Sequence, residues 1–294
     1  METSNIQKQE SAEAALSCNN IGTARIQGRS VASAIWFRCA EGSSGVRSQY
    51  RRCVSSVRKV VISLAGFWLG SVTHVDTRGP VVALTFDDGP HPTYTPQLLD
   101  LLKQNRALAT FFMVGQAAAR YPAIVRRIVE EGHAIGNHSW DHPSFPRISG
   151  RERRRQIRLC AKVLGRHDSG LFRPPYADQS WGSRLDAMWL RQKVIMFNCE
   201  VGDWFESSSD RIAEQLCKSV RPGSIVALHD ALYDQGKPKI GPRLDREPLV
   251  DRGPMLRALE QFLAKRGSHF RFVTVPELLR CGRPHRVNWY QTST

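Results

Sequence analysis

From residue 80 onward, short apolar and β-branched runs alternate with longer segments in which apolar residues recur every three or four positions. The first pattern predicts buried strands and the second predicts amphipathic helices. Repeated strand–helix units favour parallel strands with right-handed crossovers. Because no glycine-rich dinucleotide motif accompanies them, they predict an α/β fold of the incomplete-barrel type. The predicted strands are 81–86, 109–114, 134–137, 171–172, 194–199, 225–228 and 270–275.

Two adjacent carboxylates follow the first predicted strand. Residues 81–90 read Val-Val-Ala-Leu-Thr-Phe-Asp-Asp-Gly-Pro, an apolar run stopped by Gly-Pro. Asp87 and Asp88, if buried about 3–5 Å apart, would repel each other, and one pKa would rise unless a cation lay between them. A simple turn cap is one interpretation of this segment. The other is a metal ligand beside a general base, which requires further ligands elsewhere.

Two histidines downstream can supply those ligands. His138 and His142 lie four residues apart, so one helical turn or a tight loop can direct both imidazoles to one point. One Asp oxygen and two His nitrogens leave positions open for water and substrate, whereas four protein ligands close a structural zinc site. The His spacing is weak by itself, and its combination with the Asp pair predicts a hydrolytic metal site.

Five motifs occur in an order that resembles the NodB-type polysaccharide deacetylases of carbohydrate esterase family 4. They are 85–89 (Thr-Phe-Asp-Asp-Gly), 138–142 (His-Ser-Trp-Asp-His), 173–176 (Arg-Pro-Pro-Tyr), 203–204 (Asp-Trp) and 228–230 (Leu-His-Asp). The resemblance implies a distorted, incomplete (β/α)7 barrel. It also implies a metal-dependent hydrolase that removes N-acetyl groups from N-acetylglucosamine-containing polysaccharide.

The resemblance also assigns roles to individual residues. Asp88, His138 and His142 are expected to bind a divalent metal, with Zn²⁺ expected and Co²⁺ as the alternative. Asp87 resembles the family's general base, and Arg173 resembles the residue that pairs with this base and keeps it ionised.

Further assignments concern the acyl group and the leaving amine. The backbone N–H of Tyr176 is expected to hold the oxyanion, in a turn that Pro175 stiffens without donating an N–H of its own. His229 resembles the general acid. Trp204 and Leu228 are expected to line the acetyl pocket.

The sequence departs from the family pattern at one position. Three residues before the Asp-Trp pair the family usually has Asp, which tunes the acid histidine, whereas this chain has Glu200. Glu200 can still pair with His229 through a longer side chain. Asp203 is the alternative partner, or it only braces the loop.

The acyl group and the polymer stay open at this stage. Chitin oligomers, peptidoglycan and exopolysaccharide all fit the predicted chemistry. The same machinery could act on an O-acetyl ester, a formamide or a small cyclic amide. A non-catalytic carbohydrate-binding module should lack at least one of the four residues Asp87, His138, His142 and His229, and all four are present.

Residues 1–77 form a predicted N-terminal extension before a catalytic domain at 78–294. The extension contains a short apolar segment, 60–72, after a basic stretch. The segment is too short to span a bilayer as a helix, which takes about 20 residues. Three interpretations stay open: a signal or anchor behind a wrongly assigned start, a membrane-associating segment, and a structural helix after a disordered tail. The first two favour the cell envelope or secretion, and the third allows a cytoplasmic protein.

Charge and cysteine content add little to this picture. The net charge of +15 is compatible with acidic polymers or anionic membranes. No nucleic-acid-binding motif accompanies it, so nucleic acid is not predicted as a partner. The seven cysteines include no C-x-x-C pair and suggest no disulfide framework, so they do not decide the compartment. The oligomeric state stays unknown.

Overall fold

The computed structural model describes residues 70–233 and 250–287. The first 69 residues, and with them most of the predicted apolar segment 60–72, lie outside the described residues. Within the two described ranges, no helix has both the length and the apolar character needed to cross a membrane.

A parallel sheet forms the centre of the fold. The strands are β1 (Ser71–Thr77), β2 (Val81–Asp87), β3 (Ala109–Met113), β4 (Ala134–Asn137), β5 (Asp168–Phe172), β6 (Lys193–Val194), β7 (Cys199–Glu200), β8 (Ile225–His229), β9 (Arg271–Phe272) and β10 (Gly282–Val287). Seven of them run in the order β6-β5-β4-β3-β2-β8-β7, and β9 pairs with the start of β2. Every pair in this sheet is parallel, which confirms the predicted incomplete barrel.

Helices connect these strands. They are α1 (Tyr94–Gln104), α2 (Gly115–Arg120), α3 (Pro122–Glu130), α4 (Gly150–Leu164), α5 (Trp181–Trp189), α6 (Ser209–Ser219), α7 (Gly253–Arg266) and α8 (Val275–Leu278). Serine side chains cap three of them, because Ser149, Ser180 and Ser208 each accept a hydrogen bond from a backbone N–H in the first turn. Such caps satisfy donors that a helix start would otherwise leave open.

The two faces of β2 belong to different layers. Val82, Leu84 and Phe86 pack in the large cluster between the sheet and the helices. Val81 and Ala83 pack in a second cluster inside the curled sheet. Since side chains alternate along a strand, Thr85 and Asp87 continue the inner face. The fold therefore directs Asp87 into the interior of the barrel.

Several predicted elements differ from the observed ones. The predicted strand 194–199 consists of the short strands β6 and β7 on opposite edges of the sheet. The apolar residues at helical spacing in 117–130 belong to two helices, α2 and α3, because the chain leaves helical conformation at Tyr121. Only Arg271–Phe272 of the predicted strand 270–275 pairs with β2, and Val275 begins a short helix.

β1 corrects the predicted domain boundary at residue 77. It pairs with β10 in an antiparallel ribbon. It also bridges to Ile195 and Ser224, which belong to opposite sides of the opening in the barrel. Val72 and Val75 are fully buried in the inner cluster. The folded domain therefore includes Ser71–Thr77, ahead of the predicted start at 78.

This packing makes Gly223 a test of the role of β1. Gly223 has a φ of +83°, and a Cβ there would lie 1.8 Å from the carbonyl oxygen of Val75. We expect Gly223→Ala to lower the free energy of unfolding by about 3 kcal/mol or more, because β1 must move away. Urea denaturation of the full chain measures the change.

Gly165→Ala is the matched control. Gly165 also has a positive φ, +57°, but nothing lies within 4 Å of the added Cβ. Gly165→Ala should lose only the cost of its unfavourable backbone conformation, about 1–3 kcal/mol, and therefore less than Gly223→Ala, which adds the clash with β1. Equal losses in the two variants would show that contact with β1 adds nothing to stability.

Candidate active site

Asp87 and Asp88 are adjacent in sequence but contact different partners. Asp87 is the last residue of β2, and its Oδ1 lies 2.8 Å from a guanidinium nitrogen of Arg173. Asp88 has a positive φ of 75°, which few residues other than glycine adopt. The carboxylate of Asp88 instead meets His138 and His142. The turn at Asp88 thus gives each buried carboxylate its own cationic or potentially cationic neighbour.

Asp88, His138 and His142 form a compact ligand set. Asp88 Oδ1 lies 3.3 Å from His138 Nε2 and 3.0 Å from His142 Nε2. One ligand atom from each residue falls within 4.8 Å of the others, and all three residues are buried. His138 follows the end of β4, and His142 lies in the loop beyond it. The structure therefore brings together all three predicted metal ligands.

Hydrogen bonds fix the orientation of this loop. His138 Nδ1 lies 2.7 Å from the carbonyl oxygen of Arg173. If Nδ1 carries the proton, Nε2 presents its lone pair to the ligand set. Ser139 Oγ accepts the backbone N–H of His142 at 3.1 Å, and Asn137 Oδ1 accepts that of Ser139 at 2.9 Å. The sequence between the two histidines thus builds the loop that aims them.

The residues present fit a divalent cation. Asp88 Oδ1 and His142 Nδ1 are buried and have no hydrogen-bond partner among the described residues. Burial alone would raise the pKa of Asp88, but the two histidines hold it well below its ordinary value. An ionised carboxylate oxygen between two imidazole nitrogens is a suitable ligand set for a metal, with the open positions of a catalytic rather than structural site.

Arg173 holds Asp87 in place from the interior of the barrel. Its guanidinium is fully buried and donates to Thr85 Oγ1 at 2.7 Å as well as to Asp87. It also donates to the carbonyl oxygens of Ile195 and Met196. Burial lowers the pKa of Arg173, and the charge of Asp87 opposes that effect. The predicted pairing of Asp87 with Arg173 is thus present in the structure.

His229 pairs with Asp203. His229 Nδ1 lies 3.0 Å from Asp203 Oδ1, and the backbone N–H of His229 donates to Asp203 Oδ2 at 2.9 Å. Burial lowers the pKa of His229, but nearby carboxylates, Asp203 foremost, outweigh this effect and raise it to about 9. Of the two alternatives left open by the sequence, the structure gives this contact to Asp203. Glu200 lies in β7, and its charge acts on Arg173.

The turn after Arg173 places Tyr176 beside the ligand set. Tyr176 has a positive φ of 58° within the short 3₁₀ turn Pro175–Ala177. Its ring meets that of His142 edge to face, with centroids 4.5 Å apart, and 59% of the residue is exposed. Pro175, the first residue of this turn, is buried. Positive φ values also occur at Asp88 and His142, so unusual backbone conformations cluster at this site.

Two residues were assigned to the acetyl pocket. Trp204 is partly exposed and packs against Phe205 with ring centroids 4.6 Å apart. Leu228 is fully buried with Phe86 in the outer cluster against the helices. Strand alternation turns Leu228 away from the face that carries His229. The prediction that Leu228 lines a pocket at the site is therefore wrong, and Ala227 occupies the inward position on β8.

Sequence reasoning missed several residues around the site. Arg252 is fully buried and donates to the carbonyl oxygen of Asp203 at 3.0 Å, but a lone Arg in the 251–253 turn gives no sequence signal. Asp230 accepts a hydrogen bond from Thr95, and burial together with neighbouring carboxylates raises its pKa to about 7. The backbone N–H of Tyr233 donates to Asp88 Oδ2 at 3.2 Å. Asp230 could have been found, because it ends the Leu-His-Asp motif.

Fold and site together define a class of protein. It is a parallel α/β barrel hydrolase in which strand ends hold an open Asp-His-His metal site beside a carboxylate–arginine pair and a histidine–carboxylate pair. A family profile described as polysaccharide deacetylase matches residues 74–189. The chain belongs to the polysaccharide deacetylase family.

Individual relatives agree with this assignment. The chain is 34% identical over 217 residues to a peptidoglycan-N-acetylglucosamine deacetylase of Bacillus cereus, an alignment that covers 72% of this chain and 94% of the relative. It is 35% identical over 170 residues to a chitooligosaccharide deacetylase of Azorhizobium caulinodans, covering 55% and 79%. The crystal structure of the Bc1960 peptidoglycan N-acetylglucosamine deacetylase superposes with a TM-score of 0.62 at 29% identity, covering 72% and 94%.

The two neighbouring aspartates allow a matched test of the metal site. We expect Asp88→Asn to weaken metal binding by about 100-fold or more, because it removes a charged ligand. Asp87→Asn should retain the metal, since Asp87 pairs with Arg173 outside the ligand set. Titration of the metal-free proteins with Zn²⁺ by calorimetry measures both. Retention by Asp88→Asn with loss by Asp87→Asn would reverse the assignment.

The pH profile of the reaction tests the pairing of His229. A histidine acid must be protonated, so the rate falls as pH rises through its pKa, which Asp203 raises. We expect Asp203→Asn to move the alkaline limb of kcat/KM to lower pH by about one unit or more, because one unit corresponds to about 1.4 kcal/mol of lost charge interaction. The profile is measured on a soluble acetylated oligosaccharide.

Glu200→Gln is the control for that experiment, because Glu200 was the alternative partner in the sequence. Its alkaline limb should stay close to that of the unmodified protein. A shift in Glu200→Gln as large as that in Asp203→Asn would assign the tuning role to Glu200.

Proposed function

We propose that this protein is a metal-dependent N-deacetylase of N-acetylglucosamine-containing polysaccharide. The observation that carries the proposal is the placement of two proton-transfer candidates beside one ligand set. Asp87 and His229 occupy paired positions on the neighbouring strands β2 and β8. Asp88 follows Asp87 directly and joins the two histidine ligands. An acid, a base and a metal site within one strand-end cluster suit hydrolysis of an amide.

Asp88, His138 and His142 would hold the metal. Zn²⁺ is proposed, because one carboxylate oxygen and two imidazole nitrogens match its preferred ligands, and Co²⁺ is the alternative. When bound, such an ion polarises a carbonyl group and lowers the pKa of water toward 7.

Asp87 is proposed as the general base that takes the proton from the attacking water. Arg173 donates a hydrogen bond to its Oδ1, so the carboxylate lies against a buried guanidinium group. Arg173 is held by Thr85 and two backbone carbonyls, so the position of Asp87 is set before substrate binds. Such preorganisation is what general-base catalysis requires.

His229 is proposed as the general acid that protonates the departing amine. Asp203 accepts from Nδ1, which leaves Nε2 as the ring nitrogen that can deliver a proton. The raised pKa keeps the imidazole protonated at neutral pH, ready to donate. Arg252 braces Asp203 from behind through its carbonyl oxygen.

The substrate side of the site is proposed to lie at the exposed turn of Tyr176. Its backbone N–H is assigned to the oxyanion of the tetrahedral intermediate, and Pro175 buttresses the turn. Trp204 offers a partly exposed apolar surface for the acetyl methyl group.

The polymer is proposed from the relatives. Those reported above are named as deacetylases of chitooligosaccharide and of peptidoglycan N-acetylglucosamine. Both substrates present the same N-acetylglucosamine unit, so we propose that unit as the group recognised. Since peptidoglycan lies in the cell envelope, we propose an envelope or secreted location, which fractionation of cells with activity detection would test.

Acetate release tests the reaction class. The full-length protein should release acetate from chitopentaose or from peptidoglycan, lose this activity on chelation, and regain it with Zn²⁺ or Co²⁺. Asp87→Asn should retain the metal and reduce kcat by about 10²–10⁴-fold, because it removes the base alone.

The choice of substrates separates the remaining alternatives. Release of acetate from acetylated xylan, with none from either amide polymer, would contradict N-deacetylation and favour ester hydrolysis. Full activity in Asp87→Asn would contradict the assignment of the base. Metal binding without turnover of any of these substrates would favour a binding module.

A further inference from the structure

Helix α5 carries its polar residues toward the protein and its apolar residues outward. Ser183, Arg184 and Asp186 are buried. The opposite side is formed by large exposed apolar residues, which are Trp181, Leu185, Met188 and Trp189. A surface helix ordinarily has the reverse arrangement. We call these four residues the α5 face.

Exposed large hydrophobic residues are concentrated on the α5 face. Of the seven large hydrophobic residues that are exposed among the described residues, four belong to this nine-residue helix. They recur at intervals of four, three and one residues, so they lie along one side of the helix. Trp189 is 65% exposed even though it ends the helix within the folded domain. Large apolar residues that are exposed together on one side of a helix are typical of an interaction site.

The inward polar residues are held by partners, so the helix cannot simply rotate. Asp186 accepts hydrogen bonds from Arg153 at 2.7 Å and from Arg154 at 2.6 Å. Arg184 donates to Gln179 Oε1 at 3.0 Å. The Ser180 capping box fixes the start of the helix. These contacts hold the α5 face outward.

Basic side chains border the face. The guanidinium groups of Arg154 and Arg158 lie 5.2 Å and 5.5 Å from the centre of the Trp189 ring. Arg158 is exposed, and so are Arg191 and Lys193 just beyond the helix. An apolar surface that contains two tryptophans and is bordered by cations complements the interfacial region of an anionic bilayer.

We propose that the α5 face and the bordering Arg154 and Arg158, which we call the arginine border, form a docking surface for an anionic lipid membrane. The tryptophans and the Leu185 and Met188 side chains would enter the headgroup region, while Arg158 would contact lipid phosphate. The neighbouring sequence supports this choice. In the sequence, the predicted apolar segment 60–72 runs into β1, and the Ser71 hydroxyl at the start of β1 donates to Gln179, the partner of Arg184 in α5.

The same features disfavour other occupants. A second copy of the chain would bring two arginine borders together, and their charges would repel. Sugar hydroxyls also need hydrogen-bond acceptors beside an aromatic ring, but Ser183 and Asp186 of α5 are buried, and the groups beside the Trp189 ring are guanidinium cations. The proposed membrane contact concerns a surface formed by α5, and it stands independently of the proposed deacetylase activity.

Vesicle flotation tests the proposal with the full-length protein. The protein should bind vesicles of phosphatidylcholine with phosphatidylglycerol, bind phosphatidylcholine alone less, and lose binding as salt rises. The double variant Leu185→Glu and Met188→Glu should bind at least about tenfold less, because it places charge in the inserted surface. Arg158→Glu should bind the anionic vesicles at least about fivefold more weakly, because each basic residue near the surface contributes about 1 kcal/mol of binding free energy.

Matched controls identify the surface. Val163→Glu changes an exposed apolar residue on α4, and Arg211→Glu changes an exposed arginine that pairs with Glu206. Both should bind as the unmodified protein does. Acetate release should be unchanged in all variants, which would show that the fold is intact. If the unmodified protein releases no acetate, the thermal unfolding temperature serves as this control.

Three results would overturn the proposal. The first is absence of binding to anionic vesicles by the unmodified protein. The second is equal vesicle binding by the Leu185→Glu, Met188→Glu variant. The third is loss of self-association, or of binding to insoluble peptidoglycan, in that variant without a change in vesicle binding. The last outcome would assign the α5 face to a second copy or to a glycan.

Discussion

The structure depends on separating two buried carboxylates that are adjacent in the chain. Asp87 and Asp88 are almost completely buried, and burial without a countercharge would neutralise at least one of them. The end of β2 resolves this conflict geometrically. Asp87 stays on the inner face and meets Arg173, while the positive φ of Asp88 directs its carboxylate to the histidines. Two adjacent carboxylates can therefore be buried at one strand end, because each lies beside a partner of its own.

The barrel supplies the groups that this separation needs. Arg173 follows β5, His138 follows β4 and His229 ends β8, so their side chains converge at the carboxyl ends of parallel strands. Arg173 serves two partners, because its guanidinium holds Asp87 and its carbonyl oxygen lies against Nδ1 of His138. A disturbance of the turn that carries Arg173 would thus reach both the proposed base and the metal ligand. The clustered positive φ values show that the surrounding contacts maintain this geometry.

The features that could be predicted are those that a short stretch of sequence encodes. The strand before Asp87 follows from its apolar run, and the ligand set Asp88, His138 and His142 follows from residue spacing together with the resemblance to polysaccharide deacetylases. A short stretch of sequence does not determine where a side chain points after an irregular segment of backbone. Residues 201–205 form a turn with Gly202 at a φ of +67°, and this turn decides that Asp203 meets His229. Leu228 was misplaced because a shift of one residue along a strand reverses the face. β1 was missed because its partners, Ile195 and β10, lie far away in sequence.

The central claim is that Asp88, and not Asp87, joins His138 and His142 in holding the metal. A crystal structure of the full-length protein grown with Zn²⁺, with anomalous data on both sides of the zinc edge, tests it most directly. We expect an anomalous peak within bonding distance of Asp88 Oδ1 and the Nε2 atoms of both histidines, with Asp87 still paired to Arg173. A peak coordinated by Asp87, or bound away from this cluster, would contradict it.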